Sequence, residues 1–291
     1  MKPVVVSENI TCTLGEGPMW SAHHGKIFWV DIFEGMVHGL HTQTGETKSW
    51  AMGARASVVV EDVDHNLLVV CQNSIKKLNP LTGKIIELST FEEGLPDNRP
   101  NDGKLDPKGR LWFGTSDHLE QNISGSIYML DNEGMLHKKL TDFGNPNTFA
   151  WSPDGTVFYL ADSVKQTMWA FDFSLETGEL SNRQEFFSLA GTDIIPDGSA
   201  VDAEGYLWNA QWNGWRIVRY APDGSVDRII KMPVSCPTSC AFGGNDLDIL
   251  YVTSARKGQT EAQLARQLGA GKLFKIDLGI KGASVGNCSV Q

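Results

Sequence analysis

The sequence predicts an all-β protein, a six-bladed β-propeller whose blades are four-stranded antiparallel sheets. Three observations lead to this prediction. A unit of roughly 40–50 residues, the size of a propeller blade, recurs along the chain. Long stretches with helical periodicity are absent. The 291 residues include 9 Trp and 30 Gly, a composition that suits short strands, tight turns and aromatic packing between blades.

Each unit begins with a short apolar or mixed strand, turns through Asp, Asn or Gly, and continues into a strand rich in aromatic and aliphatic residues. The six segments with this pattern are 17–32, 56–71, 100–115, 147–161, 197–210 and 238–253. Third strands are predicted at Gly125–Leu130, 167–171 and 215–220, and fourth strands at 136–140 and 226–230.

Two further elements lie outside the regular units. Residues 4–6 are expected to add a strand to the last blade and so to close the ring. The best helical candidate, 260–268, lies within an insertion at 255–271 that forms either a rim of the functional face or a plain surface insertion. Most Trp residues are expected in the core, except Trp212 and Trp215 in the loop sequence QWNGW.

Composition and charge limit the classes of function. The repeat has no Pro/Ser-rich linker, so one domain is predicted over residues 1–291. The formal net charge of −10 and the absence of a Lys/Arg run argue against nucleic-acid binding. No stretch approaches the roughly 20 apolar residues of a membrane span, and the N-terminus is too short for a signal peptide, so a cytoplasmic protein is expected. The oligomeric state is left open.

The cysteines do not suggest a disulfide framework. They are five in number and lack a Cys-x-x-Cys pair, which disfavours a thiolate zinc site as well. We expect reduced thiols at Cys12, Cys71, Cys236, Cys240 and Cys288, with a Cys236–Cys240 disulfide as the alternative.

Four oxygen-bearing side chains mark the candidate site. Glu16, Asn101, Asn147 and Asp197 are predicted to share one phase of the repeat. Equivalent positions of a propeller converge on its central channel, where oxygen donors can hold a hard metal ion. Taken singly, Asp or Asn before Gly is a common turn former, and Glu16 is a solvated loop carboxylate in the alternative interpretation.

The geometry of a meander predicts which face holds the site. First-strand entrances and the loops between second and third strands share one face, including the loops 117–124, 162–166 and 211–215. The opposite face has plain turn sequences, so Asp106, Asp154 and Glu204 are not expected to be catalytic. Of the seven His residues, only His118 reaches the functional face, which disfavours a His-rich zinc site and a Ser-His-Asp triad.

Five motifs carry a resemblance to a known family: LGEGPMW, RPNDGKLDPKGRLWFGT, NTFAWSPDGTVFYLADS, IPDGSAVDAEGYLWNAQWNGWRIVRY and CPTSCAFGG. Over almost its whole length the chain resembles the SMP-30/gluconolactonase/regucalcin-like family of six-bladed propellers. The resemblance implies one divalent metal held by Glu16, Asn147 and Asp197. It also implies sugar contacts from Arg99 and Asn101, and it matches Gln121 to a substrate-contacting Glu of some relatives.

The chemistry of these residues agrees with that implication. Two carboxylates and an amide oxygen form an oxygen cage with open positions for water and substrate. A metal there would polarise a lactone carbonyl while Asp197 helps to activate water, and Arg99 would hold sugar hydroxyls. Alternatively, Arg99 pairs with Asp97 or Asp102. The metal is left open among Ca²⁺, Mg²⁺, Mn²⁺, Zn²⁺ and Fe²⁺.

The predicted function is metal-dependent hydrolysis of a sugar lactone to its aldonic acid, a carboxylic ester hydrolase activity of carbohydrate catabolism. The individual lactone is left open among gluconolactone, xylonolactone, arabinonolactone and galactonolactone. Two alternatives remain, a non-catalytic calcium-binding regulatory propeller and a phosphotriesterase-type hydrolase on the same metal site.

Overall fold

A computed structural model describes residues 2–283 of the chain. Over these residues the strands form six four-stranded sheets, and every strand pair is antiparallel. The six-bladed propeller predicted from the repeat is therefore confirmed.

The strands run through the blades in chain order, apart from the first one. The chain begins with β1 (Val4–Val5), which belongs to the last blade. The first blade contains β2 (Gly15–Ser21), β3 (Lys26–Asp31), β4 (Met36–His41) and β5 (Thr47–Ala51). The second contains β6 (Ala56–Glu61), β7 (Leu67–Cys71), β8 (Ser74–Leu78) and β9 (Ile85–Thr90). The third contains β10 (Asn98–Leu105), β11 (Leu111–Asp117), β12 (Gly125–Leu130) and β13 (Leu136–Phe143).

The later blades repeat this order. The fourth contains β14 (Pro146–Trp151), β15 (Val157–Asp162), β16 (Thr167–Phe173) and β17 (Leu180–Ser188). The fifth contains β18 (Ile195–Val201), β19 (Leu207–Trp212), β20 (Arg216–Tyr220) and β21 (Val226–Lys231). The sixth contains β22 (Pro237–Gly243), β23 (Ile249–Ser254) and β24 (Phe274–Asp277), with β1 at its edge.

The N-terminal strand closes the ring. Val4 pairs with Lys275 and Val5 with Phe274 of β24, and the Val6 amide donates to the Leu273 carbonyl at 2.9 Å. The sixth sheet thus joins the two ends of the described chain, as expected from residues 4–6.

Aromatic side chains of the second strands fill the core. Trp29, Trp112 and Trp208 are among the largest fully buried side chains. The Trp112 indole donates to Asp106 Oδ2 at 2.9 Å, and the Trp208 indole donates to Asp202 Oδ2 at 2.8 Å. These two carboxylates therefore satisfy buried indole groups, which agrees with the structural role expected of Asp106.

The first strand of each blade has a β-bulge near its entrance. Pairing shifts after Glu16 in β2 and after Asn147 in β14, so these residues are the last regular pairs before the bulge. In β10 and β18 the shift follows Pro100 and Pro196, which places Asn101 and Asp197 inside the bulge. The four side chains thus occupy two adjacent phases of the repeat, and the expectation of one phase was wrong. In a β-bulge two residues of one strand lie opposite a single residue of the partner strand. Side chains at neighbouring positions can therefore point toward the same region, so residues at two phases reach the channel.

The insertion contains a short helix. α1 (Glu261–Leu264) begins at Thr260, whose hydroxyl accepts from the Gln263 amide in a capping box, and it covers only part of the predicted segment 260–268. Within residues 2–283 no helix is long and apolar enough to cross a membrane. Cys12, Cys71, Cys236 and Cys240 are buried free thiols, and Cys288 lies outside the described residues.

Candidate active site

A cavity of about 310 Å³ opens on the predicted functional face. It contains five of the residues singled out in the sequence, namely Glu16, Arg99, Asn101, Asn147 and Asp197. The rest of its wall comes from strand entrances and from the loops on the same face: Leu14, Glu120, Asn145, Ser163, Val164, Gln166, Ile195, Trp212 and Lys257. Its volume is at the lower end of the ~300–1,000 Å³ range of small-molecule sites.

Two buried carboxylates face this cavity. Glu16 is 4% exposed and Asp197 is 6% exposed. Burial raises the pKa of Glu16, and the charges of Asp197 and Asp102 raise it further. Burial likewise raises the pKa of Asp197, with a second contribution from Asp102. A cation bound between them would remove this repulsion.

Asp102 is a buried carboxylate that sequence reasoning assigned only as a possible partner of Arg99. Its Oδ1 accepts from the Gly103 amide at 2.7 Å, and its Oδ2 accepts from the Thr148 amide at 3.0 Å. Burial raises the pKa of Asp102, while nearby Lys104 lowers it. Its neighbour Asn101 was predicted from its position in the repeat and from the family resemblance, and it lines the cavity. Asp102 instead supports the backbone beside Asn147.

Asn147 has an amide oxygen without a partner. Its Nδ2 donates to Ser163 Oγ at 2.7 Å, and that hydroxyl donates to the Pro196 carbonyl at 2.9 Å. Because the hydroxyl proton is already used, Ser163 must accept from Asn147, which directs the NH₂ group toward Ser163. The buried Oδ1 atom then has no hydrogen-bond donor within the described residues. Such an orphaned oxygen beside two carboxylates fits a bound cation.

The donor set fits a hard cation. Within residues 2–283 no three His, Cys, Asp or Glu side chains converge on a metal-binding group. Glu16 and Asp197 therefore need a third donor of another kind, and the free Asn147 oxygen can supply it. Carboxylate and amide oxygens are preferred by Ca²⁺, Mg²⁺ and Mn²⁺ over softer metals.

Thr148 holds the bulge beside Asn147 in an unusual conformation. Its φ angle is +55°, which is a genuine outlier for a β-branched residue. Its hydroxyl bonds the Asp197 carbonyl, and it lies 2.7 Å from Ser199 Oγ. These contacts tie the blade that carries Asn147 to the blade that carries Asp197. No sequence signal identifies such a residue, because Thr does not favour positive φ.

Arg99 is fully buried in the cavity wall. Its Nη1 donates to the Pro100 carbonyl at 3.0 Å and to Asn101 Oδ1 at 2.6 Å, while Nε has no partner within the described residues. Its nearest carboxylate is Glu120, 3.9 Å from Nη2, rather than Asp97 or Asp102. The guanidinium therefore keeps donor capacity for a ligand.

Asn101 lines the cavity, but both ends of its amide have protein partners. Oδ1 accepts from Arg99, and Nδ2 donates to the Pro146 carbonyl at 3.0 Å. Its main effect in this structure is to orient Arg99.

Gln121 does not line the cavity. It is exposed, and its backbone amide donates to Asp117 Oδ2 at 3.2 Å. Its neighbour Glu120 lines the cavity instead, with a positive φ of 56°. The sequence could not separate these two neighbours, because a loop has no periodic pattern that would reveal a shift of one residue. His118 is also outside the lining, and its Nδ1 lies 3.1 Å from the Asp97 carbonyl.

The insertion at 255–271 contributes to the site through Lys257. Its Nζ lies 3.6 Å from Glu120 Oε1 and 5.1 Å from the centre of the Phe33 ring. Burial lowers the pKa of Lys257, and the Glu120 charge opposes this shift. The insertion is therefore part of the rim. The sequence suggested that this insertion forms a rim, but it did not identify Lys257 as a residue of the cavity wall. No sequence pattern distinguishes an inward-facing lysine from the other lysines of a surface segment.

Asp154 and Glu204, which the sequence placed on the opposite face, make structural contacts. Asp154 Oδ1 accepts from the Thr156 hydroxyl at 2.9 Å, and Glu204 pairs with Arg219 at 2.6 Å. Neither lines the cavity.

Known proteins resemble this chain in sequence and in fold. A family model described as the SMP-30/gluconolactonase/LRE-like region matches residues 14–256. The sequence is 35% identical to regucalcin of Oryctolagus cuniculus, over 96% of this chain and 95% of the relative. A solved structure of regucalcin from Agrobacterium tumefaciens, described as a calcium-binding protein, has a TM-score of 0.92 at 30% identity, covering 99% of this chain and 96% of that one. A luciferin-regenerating enzyme has a TM-score of 0.91 at 28% identity, covering 98% and 99%.

Proposed function

The chain belongs to the SMP-30/gluconolactonase/LRE-like family, and from that premise we propose that it is a metal-dependent sugar lactonase. The reaction is hydrolysis of an aldonolactone to the corresponding aldonic acid. The single observation that best supports it is the unpartnered Asn147 oxygen beside buried Glu16 and Asp197, in a cavity that also offers an Arg99 donor.

One divalent ion would be held by Glu16, Asn147 Oδ1 and Asp197. When bound, the ion supplies a Lewis acid that polarises the lactone carbonyl. The hard-oxygen donor set favours Ca²⁺, Mg²⁺ or Mn²⁺ over Zn²⁺ or Fe²⁺.

Asp197 is the proposed general base. Its carboxylate accepts a proton from the water that attacks the carbonyl carbon, and it then returns the proton to the ring oxygen as the carbon–oxygen bond of the ring breaks. One water is consumed: its hydroxyl group stays on the carbonyl carbon and its other proton goes to the ring oxygen, which gives a carboxylic acid and a hydroxyl. At neutral pH the acid then releases its proton to solvent and becomes a carboxylate. The free Nε–H of Arg99 donates to a sugar hydroxyl or to the new carboxylate.

Asn101 and Glu120 support the arginine. Asn101 accepts from Nη1 at 2.6 Å, and Glu120 lies 3.9 Å from Nη2. We therefore assign to Glu120 the substrate position first given to Gln121.

The test is a lactone-opening assay with a pH indicator, on metal-stripped protein with each divalent ion restored and with spontaneous hydrolysis subtracted. The panel contains pentonolactones and hexonolactones. Asp197→Ala is expected to lower turnover by about 10²–10⁴-fold, the range of general acid–base catalysis. Asp64→Ala, at an exposed turn of the opposite face, is the matched control and should keep full activity.

A second function is favoured by the resemblance to regucalcins, one of which is described as calcium-binding. In that case the chain is a calcium-binding propeller without turnover. Calcium binding that needs Asp197, together with no lactone opening above background for any ion, would support this function and overturn the lactonase.

A further inference from the structure

A second cavity of about 330 Å³ adjoins the first. The two share Trp212 and Lys257 as wall residues. The other walls come from the turn after β19, from the segment between β21 and β22, and from the insertion, namely Asn213, Trp215, Ser235, Cys236, Gly258, Gln259, Gln263, Arg266 and Gln267. A ligand longer than one ring in the first cavity would extend into this space.

The second cavity has a distinctive lining. Four of its side chains are amides, two are indoles and none is a carboxylate. Amides can donate to and accept from hydroxyl groups, and aromatic rings pack against the apolar faces of a ligand. This combination suits a neutral polyhydroxylated ring.

One amide oxygen in this cavity lacks a donor. Gln259 Nε2 donates to the Ala255 carbonyl at 2.8 Å, and the buried Oε1 has no partner within the described residues. Gln263 Oε1 accepts from the Thr260 amide at 2.8 Å, while Gln267 Oε1 accepts from the Ser235 amide at 2.5 Å. Gln259 therefore offers an acceptor to a ligand hydroxyl, while Gln263 and Gln267 have their oxygens engaged and can donate.

Trp215 is the other unusual residue. It is 44% exposed, and its φ angle is +55°, a conformation that bulky side chains rarely adopt. Its carbonyl accepts from the Met232 amide at 2.7 Å, and its amide donates to the Ser235 carbonyl at 3.3 Å. The turn thus holds a half-exposed indole in a strained conformation at the wall of the cavity.

The second cavity has two cationic wall residues, Lys257 and Arg266, but they do not make it a site for an anion. Lys257 lies 3.6 Å from Glu120, so its charge is already compensated. Arg266 is exposed at the rim and does not line the first cavity. The buried unpartnered group is an acceptor, which would repel an anion and attract a hydroxyl.

We infer that the second cavity is a subsite for a second neutral sugar ring, so that the substrates include lactones of disaccharide aldonic acids. This inference rests on the proposed lactonase function and defines its substrate class. The lactone ring occupies the first cavity, and the glycosidically linked ring lies against Trp215 and Gln259.

The experiment compares kcat/KM of the metal-loaded protein for gluconolactone with that for the lactones made by oxidising the reducing ends of cellobiose and maltose. Trp215→Asn keeps a residue that tolerates positive φ but removes the ring. We expect it to lower kcat/KM for a two-ring lactone by about fivefold to tenfold, mainly through KM, and to leave gluconolactone unchanged. Leu268→Asn, an exposed position of the same insertion outside both cavities, should change neither.

Equal losses on one-ring and two-ring lactones, or no loss on either, would overturn the subsite. A preference for 6-phosphogluconolactone that Arg266→Gln abolishes would also overturn it, in favour of an anion site. If no lactone is opened at all, the proposed lactonase function is wrong, but this result does not decide whether the subsite exists. Calorimetric titration with cellobiose and maltose then tests sugar binding in the second cavity. Binding that Trp215→Asn weakens supports the subsite, and absence of binding overturns it.

Discussion

At the scale of single residues, the site brings three buried carboxylates close enough for their charges to interact. Glu16, Asp102 and Asp197 are all buried, and burial raises the pKa of each. Arg99 and Lys104 lower the pKa of Glu16 and Asp102, respectively, but do not cancel the effect of burial. A bound cation would relieve the repulsion among these carboxylates, which is the physical reason to expect metal affinity here.

This repulsion predicts how stability depends on pH. Because the native pKa of Glu16 and Asp197 exceeds the unfolded values of about 4, the native state binds more protons than the unfolded chain above that pH. The free energy of unfolding contributed by these groups therefore falls as pH rises through the native pKa. In metal-free protein, Asp197→Asn should melt higher than the wild type by a margin that grows as pH rises from the unfolded value of about 4 toward the native pKa, by ~2–4 °C for each kcal/mol of relieved repulsion.

The measurement is calorimetric melting of both proteins with and without divalent ion. The ion should raise the melting temperature of the wild type more at pH 8 than at pH 5, and the variant much less at either pH. Parallel pH profiles of the two metal-free proteins would contradict the assignment of repulsion to Asp197.

At the scale of elements, the β-bulge at the start of each first strand positions the side chains of the candidate site. It places Glu16 and Asn147 just before the irregularity, and Asn101 and Asp197 inside it. Contacts between bulges then set the distances between blades, as Thr148 does by bonding the Asp197 carbonyl. A regular strand would turn alternate side chains away from the channel.

Substitution of Gly198 tests the role of the bulge in the fifth blade. A Cβ added there would lie 2.9 Å from Ser239 Cα and would also clash with the Ser239 side chain. Gly198→Ala should lower the free energy of unfolding by ~1–3 kcal/mol and weaken ion binding, because the neighbouring Asp197 must shift. Denaturant unfolding and ion titration measure the two effects.

Gly94→Ala is the matched control for this substitution. Its added Cβ meets nothing within 4 Å, and its backbone does not have positive φ. It should leave ion affinity unchanged and leave stability equal or raise it by ~0.4–1 kcal/mol. Equal behaviour of the two glycine variants would refute the tight contact between the fifth and sixth blades.

At the scale of the whole molecule, closure of the ring depends on few residues. The edge of β24 is covered by β1 through the pairs Val4–Lys275 and Val5–Phe274. An uncovered edge would expose unpaired backbone groups and would free the sixth blade from the N-terminal segment. The candidate site lies at the channel, away from this edge, so we expect closure to support the fold without taking part in the chemistry.

Deletion of residues 2–6 should therefore lower the melting temperature by several degrees and leave kcat per folded molecule at 25 °C unchanged. Thermal melting and the lactone assay check both parts. Val4→Thr retains the backbone pairing at an exposed position and should have little effect. Loss of ion affinity with unchanged melting of the truncated metal-free protein would show that closure shapes the site instead.

The sequence by itself determined the architecture, and it predicted five of the residues that line the cavity. Two local signals identify a blade: strands rich in aromatic and aliphatic residues, and turn residues between them. Because these signals occur in each of the six units, every unit supports the prediction of a propeller. The metal-ligand set Glu16, Asn147 and Asp197 remains a prediction from resemblance, supported by the geometry of the cavity.

Only the tertiary structure decided which groups touch. Three features depend on packing between segments that are distant in sequence. They are the presence of Glu120 rather than Gln121 in the cavity wall, the inward position of Lys257 and the burial of the Asp102 carboxylate. The strained backbone of Thr148 belongs to the same class, because contacts from other blades hold it against its local preference. A periodic pattern specifies the strands, but loop register and contacts between blades are set by the closed ring as a whole.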